Sequence, residues 1–164
     1  MPVALVVMGV AGCGKSTVGA ALAAMLKRRY RDGDDFHPAS NIARMARGEP
    51  LRDQDRWPWL DAVGKSVSPE VIVGCSALKR AYRDRIRTHA PLVCFIHLHG
   101  SRAVIEARMA ARTGHFMPLS LLDSQFATLE PPEPDESAVT VDIDQPIDAI
   151  IAAIRTALPQ EPSP

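Results

Sequence analysis

The sequence has no excess of either charge: 19 Lys and Arg balance 19 Asp and Glu over 164 residues. That balance argues against the basic footprint of a nucleic-acid binder and against a polybasic surface for an anionic membrane. A local basic pocket remains compatible with it. Cysteine is scarce. Cys13, Cys75 and Cys94 are odd in number and lack metal-ligand spacing, so free thiols in a reducing cytosol are expected. Long apolar runs are missing too. The first run, Val3-Ala4-Leu5-Val6-Val7-Met8, is too short to span a bilayer and has no basic residues before it, so it reads as a strand and not a signal peptide. No internal repeat is visible. Aromatic residues make up 5% of the chain. Trp57 and Trp59 are expected to pack rather than to stack on bases, because single-strand binders set several aromatics beside a positive groove.

What remains is an ordinary globular composition, 46% apolar and 23% charged, in a length that fits one domain. That domain is expected over residues 1–158. Residues 159–164 carry Pro159, Pro162 and Pro164, cannot continue a helix, and are expected to form a flexible tail.

The chain is organised around Gly9-Val10-Ala11-Gly12-Cys13-Gly14-Lys15-Ser16-Thr17. The spacing is G-x-x-x-x-G-K-[ST], the phosphate-binding loop. Its glycines let the backbone close around a phosphate chain. The exposed N–H groups form an anion nest, and the helix that follows adds its positive end. Lys15 supplies a charge for the β- and γ-phosphates, and Ser16 a hydroxyl for Mg²⁺. The flanks agree with this reading. A continuous apolar run precedes the loop, as in a buried parallel strand. After it, Val18, Leu22, Met25 and Leu26 recur at helical spacing.

A second acidic site follows. Tyr30-Arg31-Asp32 predicts a short strand, Gly33 a sharp turn, and Pro38 the start of a helix over residues 39–47. Asp32 and Asp34 thus lie after a strand of a parallel α/β sheet, where ligands bind. They suit, in type, the holding of hydrated Mg²⁺ and the acceptance of a proton from a substrate hydroxyl. The competing reading is an Asp-rich turn. Residues 49–56 read as a polar stretch, and Trp57-Pro58-Trp59-Leu60 opens a helix to about residue 66. Residues 71–75 and 92–98 predict buried strands. The basic helix after Lys79 and Arg80 reads as mostly a solvated face, and His97 as a satisfied core or edge histidine. Lys79 and Arg80 themselves face either solvent or an anionic ligand. Residues 102–112 predict a helix with Arg108 and Arg112 on one face. It leads into a glycine-hinged loop at about residues 112–118 that contains His115. These arginines are either surface residues or the charge-neutralising groups of a phosphotransferase lid. A last strand over 139–143 and a helix after Asp144-Gln145-Pro146 complete the chain.

This order is similar to that of the small P-loop kinases, such as adenylate and shikimate kinases. Several stretches narrow the likeness: Asp32-Gly33-Asp34, His37-Pro38, Gly48-Glu49-Pro50-Leu51, Cys75-Ser76-Ala77-Leu78-Lys79, Gly114-His115-Phe116 and Asp142-Ile143-Asp144-Gln145-Pro146. With these, the chain resembles the gluconate kinases from its first strand to its last helix. The resemblance implies an α/β P-loop kinase fold: a five-stranded parallel sheet with helices on both faces, a lid, and usually a homodimer. It implies ATP-dependent phosphorylation of D-gluconate on its 6-hydroxyl. Asp34 would be the base or orienter for the substrate hydroxyl, Asp32 and Ser16 the Mg²⁺ groups, and Arg108 the residue lying on the adenine. Arg112 and His115 would belong to the lid, and Asp144, Gln145 and Pro146 to the adenine loop. His37, Arg44, Arg52, Arg56 and Lys79 are candidates for gluconate, whose carboxylate calls for a cation. One departure stands out. The connection between Leu60 and Val71 is shorter than in the family, and Gly64, Ser66, Ser68 and Pro69 make it a poor helix. The alternatives are a related kinase for another small anion, a slow nucleotide-hydrolysing switch, and a non-catalytic scaffold.

Overall fold

The computed structural model describes residues 3–111 and 119–159. The expected lid, with Arg112 and His115, lies outside the described residues, as do residues 160–164. Five parallel strands form one sheet: β1 (Leu5–Met8), β2 (Arg29–Asp32), β3 (Val71–Gly74), β4 (Cys94–His99) and β5 (Ala138–Asp142). Their order is β2–β3–β1–β4–β5. The register pairs Val6 with Val73 on one side and Val7 with Ile96 on the other. The described helices are α1 (Lys15–Leu26), α2 (Ala39–Ala46), α3 (Asp53–Ser66), α4 (Arg80–His89), α5 (Arg102–Ala110), α6 (Leu119–Thr128) and α7 (Ile147–Ala157).

The unbroken apolar spelling of β1 and β3 follows from this arrangement, since both faces of the sheet are covered. Alternate side chains go to opposite faces. Leu5 and Val7 join Leu22, Ile96, Ile105, Leu122 and Ile154 in one cluster. Val6 and Met8 join Trp59, Leu60, Ile86 and Phe95 in the other. Tyr30 of edge strand β2 lies so close to β3 that a Cβ at Gly74 would come within 2.0 Å of its hydroxyl.

Three expectations need correction. The helix expected from Trp57 begins at Asp53, because the Asp55 carboxylate accepts the Arg52 N–H at 2.9 Å and caps a polar first turn. Its end at Ser66 is where the sequence expects it, and it passes through Gly64 despite the poor helix composition. A Cβ there would lie 3.0 Å from Ile86 O and from His89 Cβ, so Gly64 is where α3 and α4 close on each other. Asp61 ties the same pair, accepting from Arg85 at 2.6 and 2.8 Å and contacting His89 at 2.8 Å.

The second correction concerns α4, whose basic residues are not simply a solvated face. Arg83 is fully buried, with Nε and Nη2 on the two oxygens of Glu136 at 2.7 and 3.0 Å and Nη1 on Ala77 O at 2.9 Å. Arg80 pairs with the exposed Glu133 and Asp135 at 2.9 and 2.7 Å. The third concerns His97. It is 2% exposed, but its Nδ1 has no hydrogen-bond partner among the described residues.

Candidate active site

The phosphate-binding loop joins β1 to α1 at the carboxyl edge of the sheet. Gly12 and Gly14 have φ of 80° and 95°, a left-handed backbone that a side chain at either position would strain. Gly14 is the N-cap of α1. Lys15 folds over the loop, its Nζ donating to Gly9 O at 3.0 Å and Val10 O at 3.2 Å. Ser16 and Thr17 are exposed in the first turn. Cys13 is buried beneath the loop, and burial pushes its thiol up against the lowering effect of Lys15, so it stays protonated. Ala11 N–H donates to Gln125 Oε1 of α6 at 2.9 Å.

The two carboxylates face this loop from the end of β2. Asp32 Oδ1 accepts the Asp34 N–H at 2.9 Å and caps a short 3-10 turn, Gly33–Phe36. Trp59 Nε1 donates to Gly33 O at 2.7 Å. The Trp59 ring stacks on His37, with centroids 4.1 Å apart and planes 16° from parallel. Asn41 Nδ2 contacts His37 Nδ1 at 3.2 Å and Asp55 O at 2.9 Å. His37 Nε2 is 4.0 Å from Asp34 Oδ1.

Desolvation in the cleft raises the pKa of Asp34, and the neighbouring Asp32 carboxylate raises it further. The carboxylate itself is 81% exposed, so water moderates both effects. His37 moves the other way. Burial lowers its pKa, opposed by Asp34 and aided by Arg56.

A cavity of about 270 Å³ joins the two halves. Lys15, Ser16, Asp32, Asp34, Ser76 and Gln125 are among its lining residues. A second cavity of about 240 Å³ shares Gly12 and Gly14 with the first and is also lined by Thr17, Arg108, Ile147 and Ile150. Arg108 Nη2 donates to Ile143 O. Asp142 Oδ1 accepts from the Asp144 N–H at 2.8 Å, Gln145 Nε2 donates to Asp142 O at 2.7 Å, and Pro146 is the N-cap of α7. Asp144 and Gln145 therefore shape the loop before α7, while Ile147 and Ile150 line the cavity.

The candidate cations Arg44, Arg52, Arg56 and Lys79 are not in the lining of the first cavity and form two groups on α3 carboxylates. Arg44 and Arg52 approach Asp55 Oδ2 at 3.9 and 3.4 Å. Arg56 and Lys79 approach Asp53 at 3.4 and 3.6 Å, and Tyr82 OH donates to the same carboxylate at 2.5 Å. The Tyr82 hydrogen bond, with Lys79 and Arg56, holds the Asp53 carboxyl below the usual range.

Sequence reasoning missed Tyr30 and Gln125 as lining residues and Asp53 as the partner of two cations. Gln125 had a legible signal. It falls on the stripe of Leu122, Phe126 and Leu129, where helical spacing calls for an apolar residue. For Asp53 the only local signal was Arg56, three residues on in the same helix; Lys79 and Tyr82 approach it from distant parts of the chain.

A parallel sheet in this order, with a phosphate-binding loop after β1 and acidic residues after β2, defines a P-loop kinase. The family model described as Shikimate kinase matches residues 11–125. The thermoresistant gluconokinase of Escherichia coli K12 is 45% identical over 155 residues, covering 90% of this chain and 89% of that protein. The gluconokinase of Gluconobacter oxydans is 42% identical over 153 residues, covering 90% and 86%. The crystal structure of a gluconokinase from Sinorhizobium meliloti superposes with a TM-score of 0.86 at 50% identity, covering 93% of this chain and 89% of that one. The shikimate kinase of Aquifex aeolicus, at 13% identity and a TM-score of 0.61, shares the fold. The chain belongs to the gluconokinase family.

Proposed function

We propose that this kinase transfers the γ-phosphoryl group of ATP to the 6-hydroxyl of D-gluconate, giving 6-phospho-D-gluconate and ADP. The observation that carries the reading is the shared cavity, which has Lys15 and Ser16 on one wall and Asp32 and Asp34 on another. Phosphoryl transfer asks the protein for position and charge more than for covalent chemistry, and this layout supplies both.

In this reading the loop residues from Gly9 to Thr17 bind the phosphates, and Lys15 leaves Gly9 O and Val10 O to meet the β- and γ-oxygens. Asp34 accepts the proton of the acceptor hydroxyl, and the desolvation that raises its pKa makes it a stronger base than an ordinary aspartate. His37, beside Asp34, and the cations Arg44, Arg52, Arg56 and Lys79 serve gluconate, whose carboxylate competes with Asp53 and Asp55 for them. Arg108 lies on the adenine at the second cavity, whose apolar floor of Ile147 and Ile150 suits a base. Asp144, Gln145 and Pro146 form the adenine loop. Arg112 and His115 belong to the closing lid.

The residues present also fit Mg²⁺. Among the described residues no group of three or more His, Cys, Asp and Glu side chains could hold a metal by itself. Nucleotide-bound Mg²⁺ needs only one or two protein oxygens, and the Ser16 hydroxyl and Asp32 carboxylate share the cavity. When bound, the ion neutralises charge on the phosphates.

The chain is further read as a cytoplasmic homodimer. Three free thiols suit a reducing compartment, and Ile42 and Met45, 54% and 44% exposed, put apolar surface on α2. Sedimentation analysis checks the dimer.

The deciding experiment is coupled ATP consumption with D-gluconate, shikimate, other sugar acids and no acceptor. Turnover with gluconate alone is expected. Turnover with another acid only would keep the kinase and reassign the acceptor. Turnover independent of any acceptor would point to a nucleotide switch and overturn the reading.

A further inference from the structure

Gln125 interrupts the apolar stripe of α6. Leu122 is 1% exposed in the core, and Phe126 and Leu129 pack against the same cluster. A half-buried amide in that stripe forgoes apolar burial, so its hydrogen bonding is the place to look for its use.

Its Oε1 accepts the Ala11 N–H of the phosphate-binding loop at 2.9 Å. That bond fixes the amide. A main-chain N–H has only a proton to offer, so the carbonyl oxygen must face it and the NH₂ group must lie on the other branch. Nε2 has no hydrogen-bond partner among the described residues. Gln125 nonetheless lines the cavity that contains Lys15, Asp32 and Asp34.

We propose that Gln125 is a substrate-contacting residue: Oε1 holds the phosphate-binding loop at Ala11, while Nε2 donates to a hydroxyl oxygen of the polyol acceptor. The inference rests on the gluconokinase reading and adds to it a specificity residue on α6. A donor in a partly desolvated cleft is satisfied by an acceptor with an oxygen at the matching place. An acceptor lacking that oxygen leaves the donor unpaired and is rejected. Because one amide makes both bonds, the loop that binds the donor nucleotide is tied to the position of the acceptor.

Gln125→Glu separates the two bonds. It keeps an oxygen for Ala11 N–H and removes the NH₂ donor. Gln125→Met keeps the length without adding charge and serves if the carboxylate disturbs the fold. Each is measured for the KM of gluconate, for nucleotide affinity without acceptor, for thermal unfolding, and for kcat/KM on a series of monodeoxy gluconates. The expected result is a rise in gluconate KM of at least about tenfold in both variants, larger than any change in nucleotide affinity. The variant and wild type should converge to within about twofold on the one analogue that lacks the contacted hydroxyl. The same ratio on every analogue, or a loss confined to nucleotide affinity, overturns the proposal and leaves Gln125 as a loop clamp. A wild type inert toward gluconate overturns the parent reading and this one with it. A wild type active on gluconate with a flat analogue profile overturns only this one.

Discussion

The indole N–H of Trp59 donates to the main-chain carbonyl of Gly33 at 2.7 Å. Trp59 belongs to α3, and Gly33 stands between the two carboxylates of the site. The bond thus ties the turn that carries Asp32 and Asp34 to a helix buried in the second core cluster. Trp59→Phe keeps an aromatic ring but removes the donor and part of the buried indole's volume. It should cost at least about 1–3 kcal/mol, because a buried carbonyl loses its partner and the smaller ring leaves a gap in the core. If the bond also aims Asp34, kcat should fall while ATP affinity is unchanged. Urea unfolding and steady-state kinetics on the same variant check both. A loss of stability with kcat intact would reduce Trp59 to packing.

Asp34→Asn should lower kcat by orders of magnitude and change ATP affinity little. A base must be ionised, and the Asp34 pKa is raised by desolvation and by Asp32. The acid limb of kcat/KM should therefore lie at higher pH than an ordinary aspartate would give. The stability effect has the opposite sense. With the folded pKa above the unfolded one, ionised Asp34 costs stability at pH above the folded value, and that cost is gone below the unfolded value. The Asn variant should be as stable as wild type or slightly more so at neutral pH. A pH–rate profile and thermal unfolding test these together, and near-normal turnover would remove Asp34 from the chemistry.

Gly64→Ala tests why α3 persists where its composition argues against a helix. Propensity alone favours Ala by about 1 kcal/mol. The new Cβ, however, would lie 3.0 Å from Ile86 O and from His89 Cβ. Overpacking of this kind costs about 1–3 kcal/mol, so a net loss of stability is expected. A raised urea midpoint would mean that α4 yields freely at this point.

How much of this was legible in the sequence follows from the range of each signal. The loop and the strand before it are local spellings, and they lie where the sequence puts them. The start of α3 was misjudged because its first turn is polar and is capped by Asp55 rather than by a preceding Ser or Thr. Arg83 looked solvated because Arg-Asp-Arg-Ile-Arg is a surface spelling, and its partner Glu136 lies 53 residues away. No local pattern reports such a pair. Lys79 and Tyr82 reach Asp53 from as far off along the chain, whereas Arg56, three residues on in the same helix, is a local partner.

The Arg83–Glu136 pair carries the last prediction. Burial opposes charge on Glu136, but hydrogen bonds from Arg83, the Glu133 N–H and Arg87 outweigh it and bring its pKa down to about 2. The folded value is thus below the unfolded one. The stability this group contributes is present above about 4.5 and is lost as the pH falls from there through about 2. Arg83→Met leaves Glu136 buried with one guanidinium fewer and should cost about 3–5 kcal/mol at pH 7. Adding Glu136→Gln to it should cost less than the two single changes combined, because the second substitution removes the charge that the first left unpaired. The gap between wild type and Arg83→Met should narrow as the pH falls from 7 toward 2, since protonation of Glu136 removes the ion the arginine serves. Urea midpoints along that series decide the matter. A gap that stays constant with pH would mean that Arg83 stabilises the fold through its bond to the Ala77 carbonyl and its packing, and that Glu136 is not the acid-sensitive group.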